Sequence, residues 1–452
     1  MLINYNFCVN IVLLTLLIVS SKDITRRYGR RIKGSIPLRS AIKELLIFNS
    51  SFFVIIKFYV TRKTIFIVKI KRYRYIIDIL INQVDEHNES NILATQEFNP
   101  SVVYFIKDKD SEEKMKTLRL YYEKNFEKIK IKEFFIEEGH KEELEKIIKS
   151  TKEKNILINL TGGKRINSLI LLDLCIQEKL TSLYIDIKKK IMYEFKENIT
   201  IYKKTFEDLE IDDIVKASGG KIVEDSSELC NKKDLIYFAE KISNNLELWH
   251  KYKQQLSEYS LFQHDSNEPQ KIYIHTQALE NEEINLLDKI LSKFKEMNEI
   301  SYRKENDKIT VNFNNDYLKA FIFKSGTWLE IETNKLINSI EEVDESKNGV
   351  MFLWNDENQS VRNELDVVAV KDSVPIFISC KDSDKYNEMA LNELNVYASK
   401  FGGENSYKIL VATKEPIKSP VKIRAKEMGI HLIIFDGNEE KFVKEIKDII
   451  NN

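Results

Sequence analysis

The stretch from Glu364 to Lys381 constrains the fold more than any other part of the chain. It contains two apolar runs, ELDVVAV and PIFISCK, with the turn residues KDS between them. This pattern predicts a β-hairpin with proline at the start of its second strand. Because side chains alternate faces along a strand, Glu364 and Asp366 share one face of the first strand. By the same count Ser379 and Lys381 share one face of the second. The sequence therefore predicts that polar side chains converge at the end of an otherwise apolar hairpin.

These polar side chains are suited to a particular chemistry. A pair of carboxylates can hold a divalent cation, and a lysine beside them can steady a water molecule or a phosphate oxygen, so the group is equipped for phosphodiester hydrolysis. A solvent-exposed hairpin with charges at its rim is the alternative, since short acid–lysine patterns recur by chance. The segment resembles the central hairpin of the PD-(D/E)xK nucleases.

The chain departs from the general nuclease motif at one position. The motif has Asp or Glu two residues before its lysine, whereas this chain has Ser379. A serine is a poorer metal ligand than a carboxylate, so either Glu330 or Glu364 replaces the missing acid or the metal site is altered. Glu330 lies in an apolar-periodic stretch that predicts a helix. In this nuclease fold a helix before the hairpin often carries an acid into the site.

The rest of the C-terminal region alternates between helical and extended patterns. A helix is predicted over 391–398, before the glycine pair of FGG, and a buried strand over 408–412. A second helix is predicted over 420–428 and a second strand over 431–435. The order helix, hairpin, helix, strand, helix, strand predicts an α/β core of the restriction-endonuclease type.

Three short motifs make the resemblance more specific. GTWLE, NELDVV and ISCKD, followed by FGG, are similar to the nuclease half of CRISPR ancillary nucleases that cyclic oligoadenylate activates. In that narrower family the serine is ordinary, and the nuclease follows a CARF domain, a Rossmann-like sensor. The resemblance implies that Glu330, Glu364 and Asp366 hold Mg²⁺ or Mn²⁺. It also implies that Lys381 orients the attacking water or stabilises charge in the transition state.

The N-terminal half has the pattern expected of such a sensor. Strands are predicted over 76–81, 102–106 and 155–160, and the last runs into TGGKR and a helix over 166–177. A Gly-Gly turn at a helix N-terminus presents N–H groups and the positive end of the helix dipole to an anion, although a mere tight turn has the same sequence. The segment resembles the ligand-binding motif of CARF domains, which hold cyclic oligoadenylate across a dimer two-fold axis. By this resemblance the ring would contact Thr161, Gly162, Gly163, Lys164 and Arg165.

The sequence predicts four regions. Residues 1–75 are a basic and apolar extension, 76–223 the CARF domain, 224–323 a connector and 324–452 the nuclease domain. Amphipathic helices followed by a two-stranded ribbon give the connector a winged-helix-like pattern. It is either a rigid spacer that transmits the state of the sensor or a contact for nucleic acid.

Charge and cysteine usage bound the remaining alternatives. The chain has 70 basic and 71 acidic residues. Residues 1–75 contain 15 of the basic and 2 of the acidic residues, a net charge of +13, so the rest of the chain has a net charge of −14. An acidic body disfavours broad non-specific DNA binding and favours a local basic channel. Four scattered cysteines without metal or disulfide spacing favour a reducing cytoplasm.

The extension fits neither predicted domain. Its apolar run, residues 11–19, is shorter than the roughly 20 residues of a membrane-spanning helix. We interpret the extension as sequence upstream of a wrongly assigned start, with a weak membrane anchor as the alternative, and expect no stable membrane association.

Together these features predict a cytoplasmic, homodimeric, metal-dependent endonuclease of CRISPR antiviral defence. By resemblance, its activator is cyclic tetra-adenylate, with cyclic hexa-adenylate as the alternative ring, and its substrates are single-stranded DNA, duplex DNA that it nicks, and in some members RNA. Two other classes remain open. One is a CARF-type regulator that binds DNA through the connector and has an inactive nuclease core. The other is a constitutive restriction-like enzyme whose Rossmann half is only structural.

Overall fold

The chain divides into two compact units, residues 1–75 and 76–452. The computed structural model describes residues 41–49, 52–60, 65–73, 77–151, 154–203, 206–324, 326–354 and 362–451. In the first unit the strands β1 (Ala41–Asn49), β2 (Phe52–Val60) and β3 (Ile65–Tyr73) form an antiparallel meander. The apolar run of residues 11–19 lies outside the described residues. Among the helices that are described, none is long and apolar enough to cross a membrane.

The second unit begins with seven strands and four helices. The strands are β4 (Ile79–Gln83), β5 (Val102–Lys107), β6 (Lys130–Phe135), β7 (Ile156–Asn159), β8 (Thr181–Asp186), β9 (Ile191–Phe195) and β10 (Ile199–Lys203). The helices are α1 (Glu89–Phe98), α2 (Glu112–Asn125), α3 (Lys141–Lys149) and α4 (Arg165–Gln177). The sheet order is β10-β9-β8-β7-β4-β5-β6, and the five strands from β8 to β6 are parallel.

Burial on both faces explains the apolar runs of this sheet. Parallel strands joined by helices are covered on each side, and Ile79, Leu80 and Ile81 of β4 are at most 1% exposed. The strand extends beyond its predicted end at residue 81, because its polar last residues still pair with β5. At the carboxyl ends of β4 and β7, Asn159 Nδ2 donates to Asn82 Oδ1 at 3.2 Å. Open α/β sheets bind ligands at this edge.

A helical segment and a second sheet follow. The helices are α5 (Ile211–Ala217), α6 (Ser227–Cys230), α7 (Lys233–Ser243), α8 (Leu246–Tyr252), α9 (Asn281–Glu296) and α10 (Asp316–Phe323). The strands are β11 (Gly220–Glu224), β12 (Phe262–His264), β13 (Lys271–His275), β14 (Ile300–Glu305) and β15 (Lys308–Phe313). The predicted ribbon is the hairpin β14–β15, and it forms half of an antiparallel sheet with the order β12-β13-β15-β14.

The C-terminal part carries the third sheet of this unit. Its helices are α11 (Thr327–Asn338), α12 (Glu388–Phe401), α13 (Pro420–Glu427) and α14 (Glu439–Ile450). Its strands are β16 (Glu345–Trp354), β17 (Arg362–Lys371), β18 (Val374–Lys381), β19 (Tyr407–Ala412) and β20 (Ile430–Ile434). The sheet order is β11-β16-β17-β18-β19-β20. Its edge strand β11 thus comes from the range predicted to be sensor, and the predicted α/β class is confirmed.

The hairpin β17–β18 has a shorter turn than the sequence suggested. Val367 pairs with Ile378, and the ladder continues until Lys371 pairs with Val374. Only Asp372 and Ser373 remain for the turn, with φ of 54° and 67°. Two successive positive φ angles are typical of the type I′ turn, whose twist matches that of paired strands.

Glu89 makes the stability of the fold depend on pH. It lies buried at the start of α1, where Ser218 Oγ is 3.4 Å from its Oε1. Burial raises the pKa of Glu89 from the ordinary 4.5 to about 8. The folded protein therefore retains a proton that the unfolded chain releases between these values. Consequently the free energy of unfolding falls as pH rises through this window and levels off above it.

We expect Glu89→Gln to remove this dependence, because an amide carries no charge to bury. The free energy of unfolding of the variant should exceed that of the natural protein by about 2 kcal/mol near pH ~8.5. The difference between the two should be smallest near pH ~5. Chemical denaturation across that range measures both free energies of unfolding. Glu123→Gln, at an exposed position, is the control and should keep the natural slope. A natural slope in Glu89→Gln would contradict the assignment.

Candidate functional site

The open end of the hairpin brings Asp366, Ser379 and Lys381 together. Asp366 Oδ2 accepts a hydrogen bond from Ser379 Oγ at 3.1 Å and one from the Cys380 backbone N–H at 2.6 Å. Lys381 Nζ lies 3.8 Å from the same oxygen. The antiparallel ladder of the two strands ends at the pair Val367 and Ile378, directly beside Asp366 and Ser379. Neighbouring strands therefore orient one carboxylate and place a lysine beside it.

Glu330 approaches the same place from α11. The helix begins after Gly326, and Glu330 lies in its first turn, where the helix dipole favours a negative charge. Burial raises the pKa of Glu330 to about 7, and the negative charges of Asp366 and Glu364 add to the rise. The three predicted acids therefore belong to one electrostatic group.

The donors of this group suit a hard divalent cation. Glu330, Glu364 and Asp366 offer carboxylate oxygens, which Mg²⁺ and Mn²⁺ prefer. Their oxygens do not all lie within 4.8 Å of one another, but Glu364 is exposed and can change rotamer. A cation would offset the mutual repulsion that helps raise the pKa of Glu330. The residue types and their crowding therefore fit a metal.

Ser379 serves this group as a hydrogen-bond donor. Ser379 is 8% exposed, and its hydroxyl donates a hydrogen bond to Asp366 Oδ2. Compared with an acid at this position, a serine removes one negative charge and adds an orienting contact. The site therefore keeps a carboxylate of fixed orientation without a fourth acid.

Cys380 faces the opposite side of β18. Its Sγ lies 3.6 Å from Thr333 Oγ1 of α11. Burial raises the pKa of the thiol well above its usual range. The contact packs α11, which carries Glu330, against the strand that carries Lys381.

A small cavity opens beside Lys381. Its volume is about 310 Å³. It is lined by Gly326, Cys380, Lys381, Asp382, Ser383, Lys385 and Tyr386. The lining joins the start of α11 to the end of β18, so this space borders both elements that carry the site. A larger cavity of about 510 Å³ lies among α7, α8, α9 and the sheet β12–β15, but its lining is mainly apolar and unsuited to phosphate chemistry.

Asp382 ends the motif ISCKD, but the sequence assigned it no role in the site. Its side chain is 2% exposed, and its Oδ2 accepts from Trp249 Nε1 at 2.7 Å and from Trp328 Nε1 at 2.9 Å. Its Oδ1 accepts from Thr413 Oγ1 at 2.8 Å and lies 3.0 Å from Lys253 Nζ. We call these residues, together with His250 at 3.2 Å from Oδ1, the Asp382 network.

Hydrogen-bond donors and a positive charge explain how the ionised Asp382 carboxylate tolerates burial. Burial alone would raise the pKa of Asp382, but the hydrogen bonds from Trp249 and Trp328 and the charge of Lys253 outweigh it and hold the pKa below its usual range. The network is therefore a buried charge with satisfied partners. Its members come from four separate segments, 249–253, 328, 382 and 413, so no local pattern could have indicated that they meet.

A second group of acids lies at the other end of the hairpin. Asp208, Asp344 and Asp372 each offer one carboxylate oxygen, and these oxygens lie within 4.8 Å of one another. Among the described residues, this is the group of acids close enough together to share a metal ion. Lys190 Nζ is 2.5 Å from Asp372 Oδ1, so a lysine already balances part of its charge. Asp372 is six residues from Asp366 along the strand, roughly 20 Å away. This group is separate from the acids predicted to hold the metal.

The predicted ligand-binding turn lies at the carboxyl end of β7. Thr161 Oγ1 donates to Asn159 Oδ1 at 2.7 Å and accepts from the Ile185 N–H at 2.9 Å. Gly163 has φ +82°, and a Cβ there would approach Gln83 Cβ to 2.4 Å, so only glycine fits. Its N–H donates to Asp85 Oδ2 at 2.9 Å.

The two basic residues of the turn begin α4. Lys164 is half exposed and its Nζ lies 3.6 Å from Asp108 and 3.9 Å from Asp110. Arg165 is exposed at the first position of the helix. The structure thus gathers all five predicted residues, from Thr161 to Arg165, at one edge of the sheet.

The loop of residues 84–88 connects this turn to the C-terminal part. At one side Asp85 accepts the Gly163 N–H. At the other, His87 Nδ1 is 3.2 Å from Ser218 Oγ, which donates to the Phe401 carbonyl at 3.0 Å. A Cβ on Gly403 would meet the His87 ring at 2.8 Å. One short loop therefore contacts both the turn and the end of α12.

Comparison with known proteins identifies the C-terminal part. Residues 318–452 match the family model described as "Card1-like, endonuclease domain". The match contains every residue predicted for the nuclease site. The sequence gives no significant match among curated proteins.

Solved structures resemble the fold more widely. Can2 from Sulfobacillus thermosulfidooxidans, in complex with cyclic tetra-adenylate (cA4), has a TM-score of 0.64 at 18% identity, over 83% of this chain and 100% of that chain. Protein VC1899 from Vibrio cholerae has the same score and identity, over 83% and 98%. A type III CRISPR defence DNA nuclease activated by cyclic oligoadenylate has a TM-score of 0.50 at 13% identity, over 84% and 52%. These likenesses confirm the predicted fold, a Rossmann-like domain followed by a second α/β domain.

The family match and the geometry agree on the same elements. The helix α11, the hairpin β17–β18 and the elements after them all lie within the matched range. The prediction of an endonuclease is confirmed at the level of this domain. Residues 318–452 are therefore the part of the chain that is similar to the Card1-like endonuclease domain.

Proposed function

We propose that this protein is a metal-dependent endonuclease of type III CRISPR defence that cyclic oligoadenylate activates in the cytoplasm. The observation that carries the proposal is the combination, in one compact unit, of a Card1-like endonuclease domain and a Rossmann-like sheet with a basic Gly-Gly turn. Can2, which has a similar fold, binds cA4. This likeness supports cyclic tetra-adenylate as the activator.

The turn offers the groups that a cyclic phosphate ring requires. Lys164 and Arg165 supply positive charge at the N-terminus of the 13-residue helix α4, whose dipole adds to it. The Gly163 N–H is a donor that a phosphate would contest with Asp85. Binding of the ring would thus release Asp85, and with it one anchor of the loop 84–88.

An exposed apolar stripe on α4 supports a homodimer. Ile166, Leu169 and Ile176 are 42%, 62% and 66% exposed and recur at helical spacing on one side of the helix. The stripe starts beside Arg165, so a second copy packed there would bring its own turn close to the first. A ring could then contact both turns across the two-fold axis.

The active-site residues have distinct roles in this proposal. Glu330, Glu364 and Asp366 would hold Mg²⁺ or Mn²⁺, and the bound cation would supply Lewis-acid stabilisation of the phosphate. Ser379 and the Cys380 N–H keep Asp366 in one orientation. Lys381, with a side chain 33% exposed, would stabilise charge developing on the phosphate. Substrates would be single-stranded DNA, duplex DNA that is nicked, and RNA.

One observation favours a second candidate function. Ser379 stands where the general motif has an acid, which fits a CARF-type regulator that binds DNA through the connector and has an inactive nuclease core. The grouping of Glu330, Asp366 and Lys381 disfavours this alternative, since an inactive core has no need of them. A constitutive nuclease would differ from both by cutting without an activator.

We expect cleavage to require both a ring and a metal. Labelled single-stranded DNA, supercoiled plasmid and RNA are incubated with the full chain and Mn²⁺, with cyclic tetra-adenylate, cyclic hexa-adenylate or neither. Cutting with one ring only, and its loss on chelation, supports the proposal. Equal cutting without a ring indicates the constitutive enzyme, and ring binding without cutting indicates the regulator.

Removal of the lysine should abolish chemistry but not sensing. We expect Lys381→Ala to lower kcat about 10²- to 10³-fold, because one electrostatic donor to the reacting phosphate is lost. Cyclic tetra-adenylate binding, measured by calorimetry, should not change. Lys422→Ala, at a lysine paired with Glu415 on the surface, should cut normally. Normal cutting by both Lys381→Ala and Asp366→Ala would show that the site lies elsewhere.

A matched pair of glycine variants tests the turn. Gly163→Ala forces a Cβ against Gln83, whereas Gly139, at the similar φ of +83°, has open space around it. Both variants carry similar backbone strain, but only Gly163→Ala should distort the ligand site. We expect it to raise the concentration of ring needed for half-maximal cutting at least roughly tenfold, with kcat at saturation unchanged. Equal ring requirements in the two variants would remove the turn from the ligand site.

A further inference from the structure

We propose that Asp382 is a positioning residue that aligns Lys381 with Glu330 and makes this alignment depend on the connector. The inference rests on the proposed nuclease function, because it concerns the groups to which that function assigns the chemistry. Asp382 itself is buried behind these groups and is not assigned a contact with substrate.

The first step is that one carboxylate fixes both elements of the site. Asp382 directly follows Lys381 at the end of β18, so holding its side chain also fixes the backbone of the lysine. The same Oδ2 accepts the indole N–H of Trp328 at 2.9 Å. Trp328 lies two residues before Glu330 in the first turn of α11. A shift of Asp382 would therefore displace the lysine and the glutamate relative to each other.

The second step is that the connector supplies part of this anchoring. Trp249 belongs to α8 and donates to Oδ2 at 2.7 Å. Lys253, which begins the following 3₁₀ turn, pairs with Oδ1 at 3.0 Å and also donates to the Asp382 carbonyl. Side chain and backbone of Asp382 are thus both held by one short segment. Movement of this segment would reach the active site directly.

The third step is that solvent cannot replace a lost partner. The Asp382 side chain is 2% exposed, and an unsatisfied buried acceptor is much more costly than an exposed one. After loss of one donor the carboxylate should rotate towards its remaining partners. Lys381 and Asp382 line the same cavity of about 310 Å³, so the rotation would change the shape of the space beside the lysine.

The expected kinetic effect is on turnover rather than binding. Small misplacements of reacting groups lower rates by roughly 10- to 100-fold. Trp249→Phe deletes the indole N–H while retaining an aromatic ring, and Asp382→Asn removes the charge at nearly constant shape. We expect each to lower kcat about 10-fold or more with KM within about twofold of the natural value. A role in stability alone would lower the fraction of folded enzyme, not the kcat of the folded part.

Tyr407→Phe is the matched control. Tyr407 is 8% exposed and its hydroxyl donates to the Ile450 carbonyl at 3.2 Å, so this variant also loses one buried donor in the same domain. Kinetics on single-stranded DNA are measured for all full-length variants with Mn²⁺ and saturating cyclic tetra-adenylate. Thermal unfolding and calorimetric ring binding confirm that each is folded and sensing.

The outcomes separate this inference from the function on which it rests. A lower kcat in Trp249→Phe, with natural KM, ring binding and melting temperature no lower than that of Tyr407→Phe, supports the positioning role. If the natural protein cuts and Trp249→Phe has the same kcat as Tyr407→Phe, the positioning role is wrong and the proposed function stands. If the natural protein does not cut with any ring, the proposed function and the positioning role are both wrong.

Discussion

The hydrogen bond from the Cys380 backbone N–H to Asp366 Oδ2, at 2.6 Å, is the interaction on which the candidate active site depends. It uses a main-chain donor of β18 to hold a side chain of β17, so the position of the carboxylate follows from strand pairing itself. Ser379 adds a second donor from the same strand. With both partners on β18, Asp366 cannot turn away while the hairpin remains paired, and the neighbouring Lys381 is fixed by the same strand.

Charge balance explains why a divalent cation bound among these acids would be stabilising. Two unit charges about 4 Å apart interact by about 4 kcal/mol at an effective dielectric of about 20. Lys381 lies 3.8 Å from Asp366, but both side chains are partly exposed. Burial and repulsion from the neighbouring acids raise the pKa of Glu330 to about 7. The positive charges of Lys324 and Lys381 oppose this rise without cancelling it. A divalent cation would offset the repulsion among the acids. In the Asp382 network, by contrast, hydrogen-bond donors and the charge of Lys253 already stabilise the carboxylate.

Local patterns predicted much of the fold but not its long-range pairings. The hairpin, the Gly-Gly turn and the helices before and after them could be predicted because alternation and helical spacing act within about ten residues. The sheet β12–β15 was only half predicted, since β12 spans three residues. The network around Asp382 joins residues 249 to 413, and β11 leaves the range of the sensor to pair with β16. Neither leaves a periodic signal in the sequence.

The contacts between the two halves of the second unit differ in how readily they can change. β11 adds to the endonuclease sheet through a ladder of several backbone pairs, so no single contact decides whether it stays paired. The loop 84–88 is instead held by separate side-chain contacts, from Asp85 to Gly163, from His87 to Ser218 and from Asn88 to the Ala217 carbonyl. A ligand that takes the Gly163 N–H removes one of them without disturbing the ladder. A signal requires an element with two arrangements, and separate side-chain contacts change more readily than a strand ladder. The activation that we propose would therefore run through the loop 84–88 rather than through β11.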